Sequence, residues 1–533
     1  MENNNEEQKM APQEAPKKSK KSTVILFASI LVMVLAIIGT GFVLKWKESN
    51  KPVKVKTETE KKPVADSAFR LSGNGLEDFD LYFLQLENNP TNKVYSPLSI
   101  KYALAMLKDG SAGMSRDQIE SVIGDYQAIK YNNNEHMSFA NAMFIKDSFK
   151  KNVDEKYTKT LQDKYGAEVI LDPFENASTV NSWVSNKTFK LIENLLDDET
   201  VKQGDFFLVN ALAIDMNWKT RLQSSSAPLP EGMKQKRYNV HYEHEKFSDY
   251  VSTIMDEDYP AMTFNGQENT KSVEVAAAFN RYDIIKEVGE ENIRKTITAK
   301  YKEYLDNGGD PCGKDLETYV NEYIEAIGKN YKQADTSTDF SFYDDDEMKV
   351  FAKDLQTYDG TTLQYIGIMP KQALLGDYIK EINAKSLKSL IEKVKTAEYD
   401  NMEEGTITHI KGNIPLFKFD YKLNLMKDLQ SLGISDVFDA KKADLSRMVT
   451  AENEYIFDAR HSANIEFSND GIKAAAATSM GGEGAASCLF QYDYDVPVKE
   501  IDITFDRPYL FIVRDKESGE VWFTGTVYNP TKK

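Results

Sequence analysis

The distribution of apolar residues divides this chain of 533 residues before any motif is sought. Val24 to Leu44 is an uncharged, overwhelmingly apolar run, long enough to cross a bilayer. Lys17, Lys18, Lys20 and Lys21 precede it, and it exceeds the apolar core of a cleaved signal segment. An uncleaved single-pass anchor over 22–44 is therefore expected, with a short cytoplasmic tail at 1–21 and the body on the extracellular side of a cell membrane. Residues 45–67, rich in Lys, Glu, Pro and Val, read as a solvated stalk. From residue 68 the pattern is that of a folded body. A helical period runs from about Leu71 through Phe79, Leu81, Phe83, Leu84 and Leu86, and Asn88-Asn89-Pro90 closes it. Ser96-Pro97 opens another helix, the serine as cap and the proline in the first turn. Inside residues 256–337, Ile293, Ile297, Tyr301 and Leu305 recur every four residues, as do Tyr319, Tyr323 and Ile327. This spacing predicts two helices joined through Asn307-Gly308-Gly309-Asp310-Pro311.

Near the C-terminus, Ala463 to Phe467 alternates apolar and polar as a strand does. Gly471, Ile472, Lys473, Ala474, Ala475, Ala476, Ala477 and Thr478 follow, then a tract with Gly481, Gly482 and Gly484. Four alanines alone would favour a helix, but each flanking glycine weakens one by about 1 kcal/mol relative to Ala. As a strand, Ile472, Ala474, Ala476, Thr478 and Met480 would share one face, and Lys473 and Glu483 the other. The inward face then carries no charge, whereas a charge buried there unpaired would cost roughly several kcal/mol. The segment reads as an exposed loop whose first half can become a strand.

Composition removes several function classes. The formal charge of -18, with no basic stripe, argues against a nucleic-acid partner, while 41% hydrophobic residues with 28 Tyr and 27 Phe suffice for a sizeable core. Two cysteines, Cys312 and Cys488, are too few for a disulfide framework. Neither a Gly-x-Ser-x-Gly elbow nor a His-Glu-x-x-His helix occurs, so no enzyme is expected, and no cofactor. His241 and His244 with Glu243 and Glu245 read as a solvated polar turn, not a metal site. Gly308 to Lys314 nearly matches a phosphate-binding loop but ends in Asp315 where Ser or Thr is needed.

The hinge composition, together with Phe505-Asp506-Arg507-Pro508-Tyr509-Leu510-Phe511, resembles the reactive-loop region of serpins. Further fragments match in family order. Val94-Tyr95-Ser96-Pro97-Leu98-Ser99-Ile100 resembles the entry to the second helix; Asn141-Ala142-Met143-Phe144-Ile145 a central strand; Val180-Asn181-Ser182-Trp183-Val184 the helix across the main sheet. Leu208-Val209-Asn210-Ala211 and Asn217-Trp218-Lys219-Thr220 resemble the next strand and the tryptophan where the loop first enters. His461 stands where the family places a histidine under that sheet. The resemblance implies an α+β serpin fold with three β-sheets, about nine helices and an exposed reactive centre loop, over 68–533 and interrupted by a helical insertion at about 256–337. It implies that Ser96, Ser99, Asn210, Trp218 and His461 build the shutter and breach, the regions where the sheet opens. It further implies a suicide-substrate inhibitor that traps a serine protease, or alternatively a cysteine protease, as an acyl-enzyme by inserting its cut loop; the alternative is a non-inhibitory cell-surface binding protein. Family spacing puts the scissile bond at Ala485-Ala486, inside a range from Ser479 to Phe490. Its small neighbours imply an elastase-like or subtilisin-like target protease. Three departures stand out: Asn469 where the family usually has an acid, Pro508-Tyr509 in place of Pro-Phe, and a long stretch from Gly471 to Pro508.

Overall fold

The computed structural model describes residues 64–222, 237–238, 261–309, 313, 315–329, 333–336, 339–469, 471–472, 494–495 and 497–532. The helix expected from about Leu71 begins at Phe79 and ends at Leu86 (α1). Gly73 and Gly75 lie ahead of it, and Gly75 adopts a φ of 113°, outside helical geometry. Ser96 caps the next helix, Pro97–Gly110 (α2), by accepting from the Ser99 backbone N–H, with Pro97 in the first turn.

Three bodies of sheet, besides a separate short pair of Arg237–Tyr238 with Tyr494–Asp495, pack around a large apolar core. A seven-stranded sheet runs, in spatial order, through Lys93–Tyr95, Val521–Val527, Tyr509–Asp515, Leu363–Pro370, Met348–Asp354, Ser341–Asp344 and Lys395–Thr396. A five-stranded sheet holds Val498–Asp502, Ile407–Pro415 and Gln267–Asn280, with Ala261–Phe264 and Gln333–Thr336 both on the last of these.

The third body is split. One piece has Met137–Lys146 (β1) at its centre, parallel to Glu168–Asp172 (β2) and antiparallel to Phe206–Ile214 (β3), which Met216–Asn217 (β4) continues. The other is the antiparallel pair Phe417–Asn424 (β5) and Arg460–Phe467 (β6). Among the described residues no ladder joins β3 to β6; the one link is Gly471–Ile472 (β7), antiparallel to β4. The helix Ser178–Lys187 (α3) lies on the outer face of β1 and β3, its Val180, Trp183 and Val184 packing with Phe144, Val209 and Ala211. The short helix Asp198–Gln203 (α4) leads into β3.

The structure adds detail to the sequence reading in two places and corrects it in a third. Among the described residues there are twelve α-helices where about nine were expected, three of them at Ile284–Val288, Glu290–Asp306 and Leu316–Lys329. Within 256–337 the two predicted helices are flanked by sheet strands at 261–280 and 333–336. The cell-membrane placement is corrected: among the described residues no helix is long and apolar enough to cross a membrane. The helix Glu290–Asp306 spans only 17 residues and carries Arg294, Lys295 and Lys300, where a span needs about 20 apolar ones. Val24 to Leu44, on which the expectation rested, lies outside the described residues.

Candidate functional site

The split between β3 and β6 is a slot running the length of the main sheet. Its sides are in step: Leu212–Ile214 face Asn464–Glu466 at one end, and Asp205–Val209 face Asp458–Arg460 at the other. The two strands therefore run in the same direction. A chain entering between them from the end of β6 must reverse and run antiparallel to both.

That reversal is present at the upper end. The Ser468 N–H donates to the Gly471 carbonyl at 3.1 Å, and the Ser468 hydroxyl donates to the same oxygen at 2.7 Å. β7 then pairs Gly471 with Asn217 and Ile472 with Met216. Only glycine fits at 471, since a Cβ there would lie 2.3 Å from the Met216 carbonyl oxygen and 2.5 Å from the Asn217 Cα. Trp218 closes the top: its indole N–H donates to the Ser468 carbonyl at 2.9 Å and its ring centroid sits 5.4 Å from that of Phe467. The Leu222 N–H donates to the Asn469 carbonyl at 2.8 Å. Asn469 thus anchors the turn through its backbone at the position where an acid was expected.

The middle of the slot is polar. The Ser99 hydroxyl donates to Asn210 Oδ1, the Asn210 amide donates to Asn141 Oδ1 at 2.7 Å, and the Asn141 amide donates to the Tyr165 carbonyl at 3.0 Å. On the opposite wall, His461 Nε2 accepts the Ser96 backbone N–H at 2.9 Å. Burial pushes the His461 pKa down to about 4, so the ring is neutral near pH 7, as an acceptor nitrogen requires. Ser96, Ser99, Asn210 and His461 surround a cavity of ≈70 Å³.

Below lies an apolar cavity of ≈370 Å³ walled by Leu104, Leu107, Phe206, Leu425, Leu429 and Phe438 among others. Arg460 borders both this cavity and the polar one. Its guanidinium reaches across the slot to Asp197 at 3.0 Å and to the Thr200 hydroxyl at 2.9 Å, while its Nε contacts Asp458 at 2.9 Å. Asp197 also caps α4, accepting from the Thr200 N–H at 2.8 Å. Those hydrogen bonds and Arg460 hold its pKa down at about 2.

The sequence expectations meet this geometry unevenly. Ser96, Ser99, Asn210 and His461 converge on one cavity, and Trp218 sits at the top with Gly471. Lys473, Ala474, Ala475, Ala476, Ala477, Thr478 and the pair Ala485-Ala486 lie outside the described residues, as do Cys312, Cys488, His241 and His244. Among the described residues no group of three His, Cys, Asp or Glu side chains could hold a metal. Arg460 and Asp197 escaped the sequence reading because 263 residues separate them and no local pattern marks the pair.

A family model described as Serpin (serine protease inhibitor) matches residues 78–229 and 333–530, leaving out the stretch that holds the three helices between Gln267–Asn280 and Gln333–Thr336. Among curated proteins, leukocyte elastase inhibitor of Homo sapiens is 24% identical over 484 residues, 86% of this chain and 99% of that protein. Neuroserpin of Mus musculus is 22% identical over 462 residues, 82% of this chain and 86% of that protein. Among solved structures, native tengpin, a thermophilic serpin, superposes with a TM-score of 0.54 at 20% identity, covering 85% of this chain and 92% of that one. Uncleaved ovalbumin superposes with a TM-score of 0.54 at 18% identity, covering 86% and 98%. At such identities the structural likeness shows the fold.

Proposed function

The chain belongs to the serpin family, and from that premise we propose that it is a suicide-substrate inhibitor of a protease that cleaves beside small side chains. A target attacks the loop and forms an acyl-enzyme; the freed loop enters the slot as a new central strand and carries the protease with it. The distorted protease cannot complete deacylation, because its oxyanion hole works only when preorganised.

The observation that carries this reading is the register already set at β7. With Gly471 opposite Asn217 and Ile472 opposite Met216, each further loop residue meets the residue one earlier in the wall formed by β4 and β3. Ala474 then meets Ile214, Ala476 meets Leu212, Thr478 meets Asn210, and Glu483 meets Asp205. The positions from 473 to 478 suit their places, whereas Glu483 meets a second carboxylate at Asp205, a like-charge pair that disfavours the last step. Lys473 arrives beside Asp215. Ala475 and Ala477 arrive beside Ala213 and Ala211, under α3, where Val209 and Ala211 are already covered by Val180 and Val184. This arrangement accounts for alanines on both strand faces, since the outer face would lie against a helix. Thr478, the one polar inward residue, reaches the polar middle with Asn210 and His461. Ala485-Ala486 falls just past the foot of β3, where a cut would free a strand matched to the slot.

Small residues around that bond favour an elastase-like or subtilisin-like protease, in keeping with a relative named leukocyte elastase inhibitor. The test is incubation with a protease panel, followed by denaturing electrophoresis and mass spectrometry of the released peptide. A complex that survives denaturant, with a peptide beginning at Ala486, is expected. Clean cleavage without a complex would support a non-inhibitory binding protein instead. Ile472→Arg places a charge on the strand face expected to turn inward and should convert inhibitor to substrate, raising the ratio of loop cleaved to complex formed by about tenfold or more.

A further inference from the structure

We infer that Arg460, with Asp197 and Thr200, is a strap across the lower half of the slot that sets how fast a strand can enter it. This rests on the insertion reading above and adds a control point to it. Arg460 is on β6, whereas Asp197 and Thr200 belong to α4 and its cap, which lead directly into β3. Contacts of 3.0 Å and 2.9 Å therefore tie the two walls together where, among the described residues, no backbone ladder does. The strap lies on the outer side: His461, Ala463, Ile465 and Phe467 alternate into the core, and Arg460 shares the parity of Ser462 and Asn464.

A cavity of ≈70 Å³ at the polar middle is too small for a strand, so the walls must part. One added strand widens a sheet by about 4.8 Å. Contacts of 3.0 Å stretched by that amount leave ion-pair range, so the strap has to break as the strand passes. Continuing the turn's pairing of Ser468 with Gly471 places the crossing immediately beyond His461, after the alanine run has entered. At the upper end, where the cavity between Leu212–Ile214 and Asn464–Glu466 is only ≈20 Å³, the walls must part as well, but no such strap crosses there among the described residues; the strap therefore resists completion of the insertion. Arg460 is suited to this because its guanidinium is committed on three sides, to Asp197, Thr200 and Asp458, which fixes its direction across the gap.

The test uses the full chain and a fluorescent synthetic peptide of residues 471–485, followed by native electrophoresis as it anneals into the slot. Arg460→Ala and Asp197→Asn should each take the peptide up about three- to tenfold faster than the unaltered chain. Asn keeps the cap on α4, so that variant removes the charge while sparing the helix. The double variant should be no faster than Arg460→Ala, as partners in one contact require. Added salt should speed uptake by the unaltered chain and leave Arg460→Ala unchanged. Uptake at equal rates in all forms would overturn the strap while leaving insertion intact. A peptide that enters none of them would overturn insertion itself, and the strap with it.

Discussion

At the scale of single residues, two positions in the slot make opposite demands on chemistry. Gly471 is fixed by sterics: the atoms a side chain would strike are backbone atoms of Met216 and Asn217, which cannot rotate away. Gly471→Ala should expel β7 from its place beside β4 and cost about 1–3 kcal/mol, read as a lower urea midpoint. His461 is fixed by protonation. Its folded pKa of about 4 lies below the ordinary 6.5, so the unfolded chain takes up the proton first. Native stability should then fall as pH drops from 6.5 towards 4, by up to about 3 kcal/mol for this one ring. His461→Gln should remove one proton's worth of that slope in urea titrations across the window. His409, also held at about 4 by burial, should keep its share. The serine, asparagine and histidine of the slot were legible because a family pattern marks each one locally. Lys101 shows what was not. No local pattern marks this lysine of α2, yet it is 0% exposed, 2.7 Å from Asp80 and 3.8 Å from Glu520. Only the fold brings those carboxylates from opposite ends of the body.

At the scale of elements, the helices absent from the family match form a unit of their own. Ile293, Ile297, Tyr301, Tyr319 and Tyr323 pack on one another in a cluster separate from the main core, with the Tyr301 and Tyr319 rings stacked at 4.3 Å. Four-residue spacing revealed these side chains because each helix buries one stripe against its mate. The edges of the stretch were harder to read, since the adjacent strands carry polar residues such as Gln267, Glu268 and Asn269 at a hairpin end. Asn280 and Gln333 already face each other as a strand pair. Replacing residues 282–331 by Asn-Gly should therefore close a hairpin and leave the body folded. A body that loses its cooperative unfolding transition after this change would show that the helices are integral to it. The slot itself could not be read from any one element, because its walls are separated by more than 240 residues and are defined by a pairing that is missing among the described residues.

At the scale of the whole molecule, the described residues leave the edges of β3 and β6 that face each other without a ladder between them. A chain cut once in the loop should unfold at a distinctly higher temperature than the intact chain, since the added strand completes two ladders. Equal transitions would mean that the cut loop stays outside. The walls of the slot are also two strand edges facing each other inside one body, and an edge accepts any extended chain that fits. What gives the molecule's own loop priority is the turn at Ser468–Gly471, which holds its first residues at the mouth. Such a tether corresponds to an effective concentration on the order of millimolar. A loop from a neighbouring molecule competes only when the protein itself approaches that concentration, so crowding sets the boundary between a self-contained spring and a linked chain of molecules.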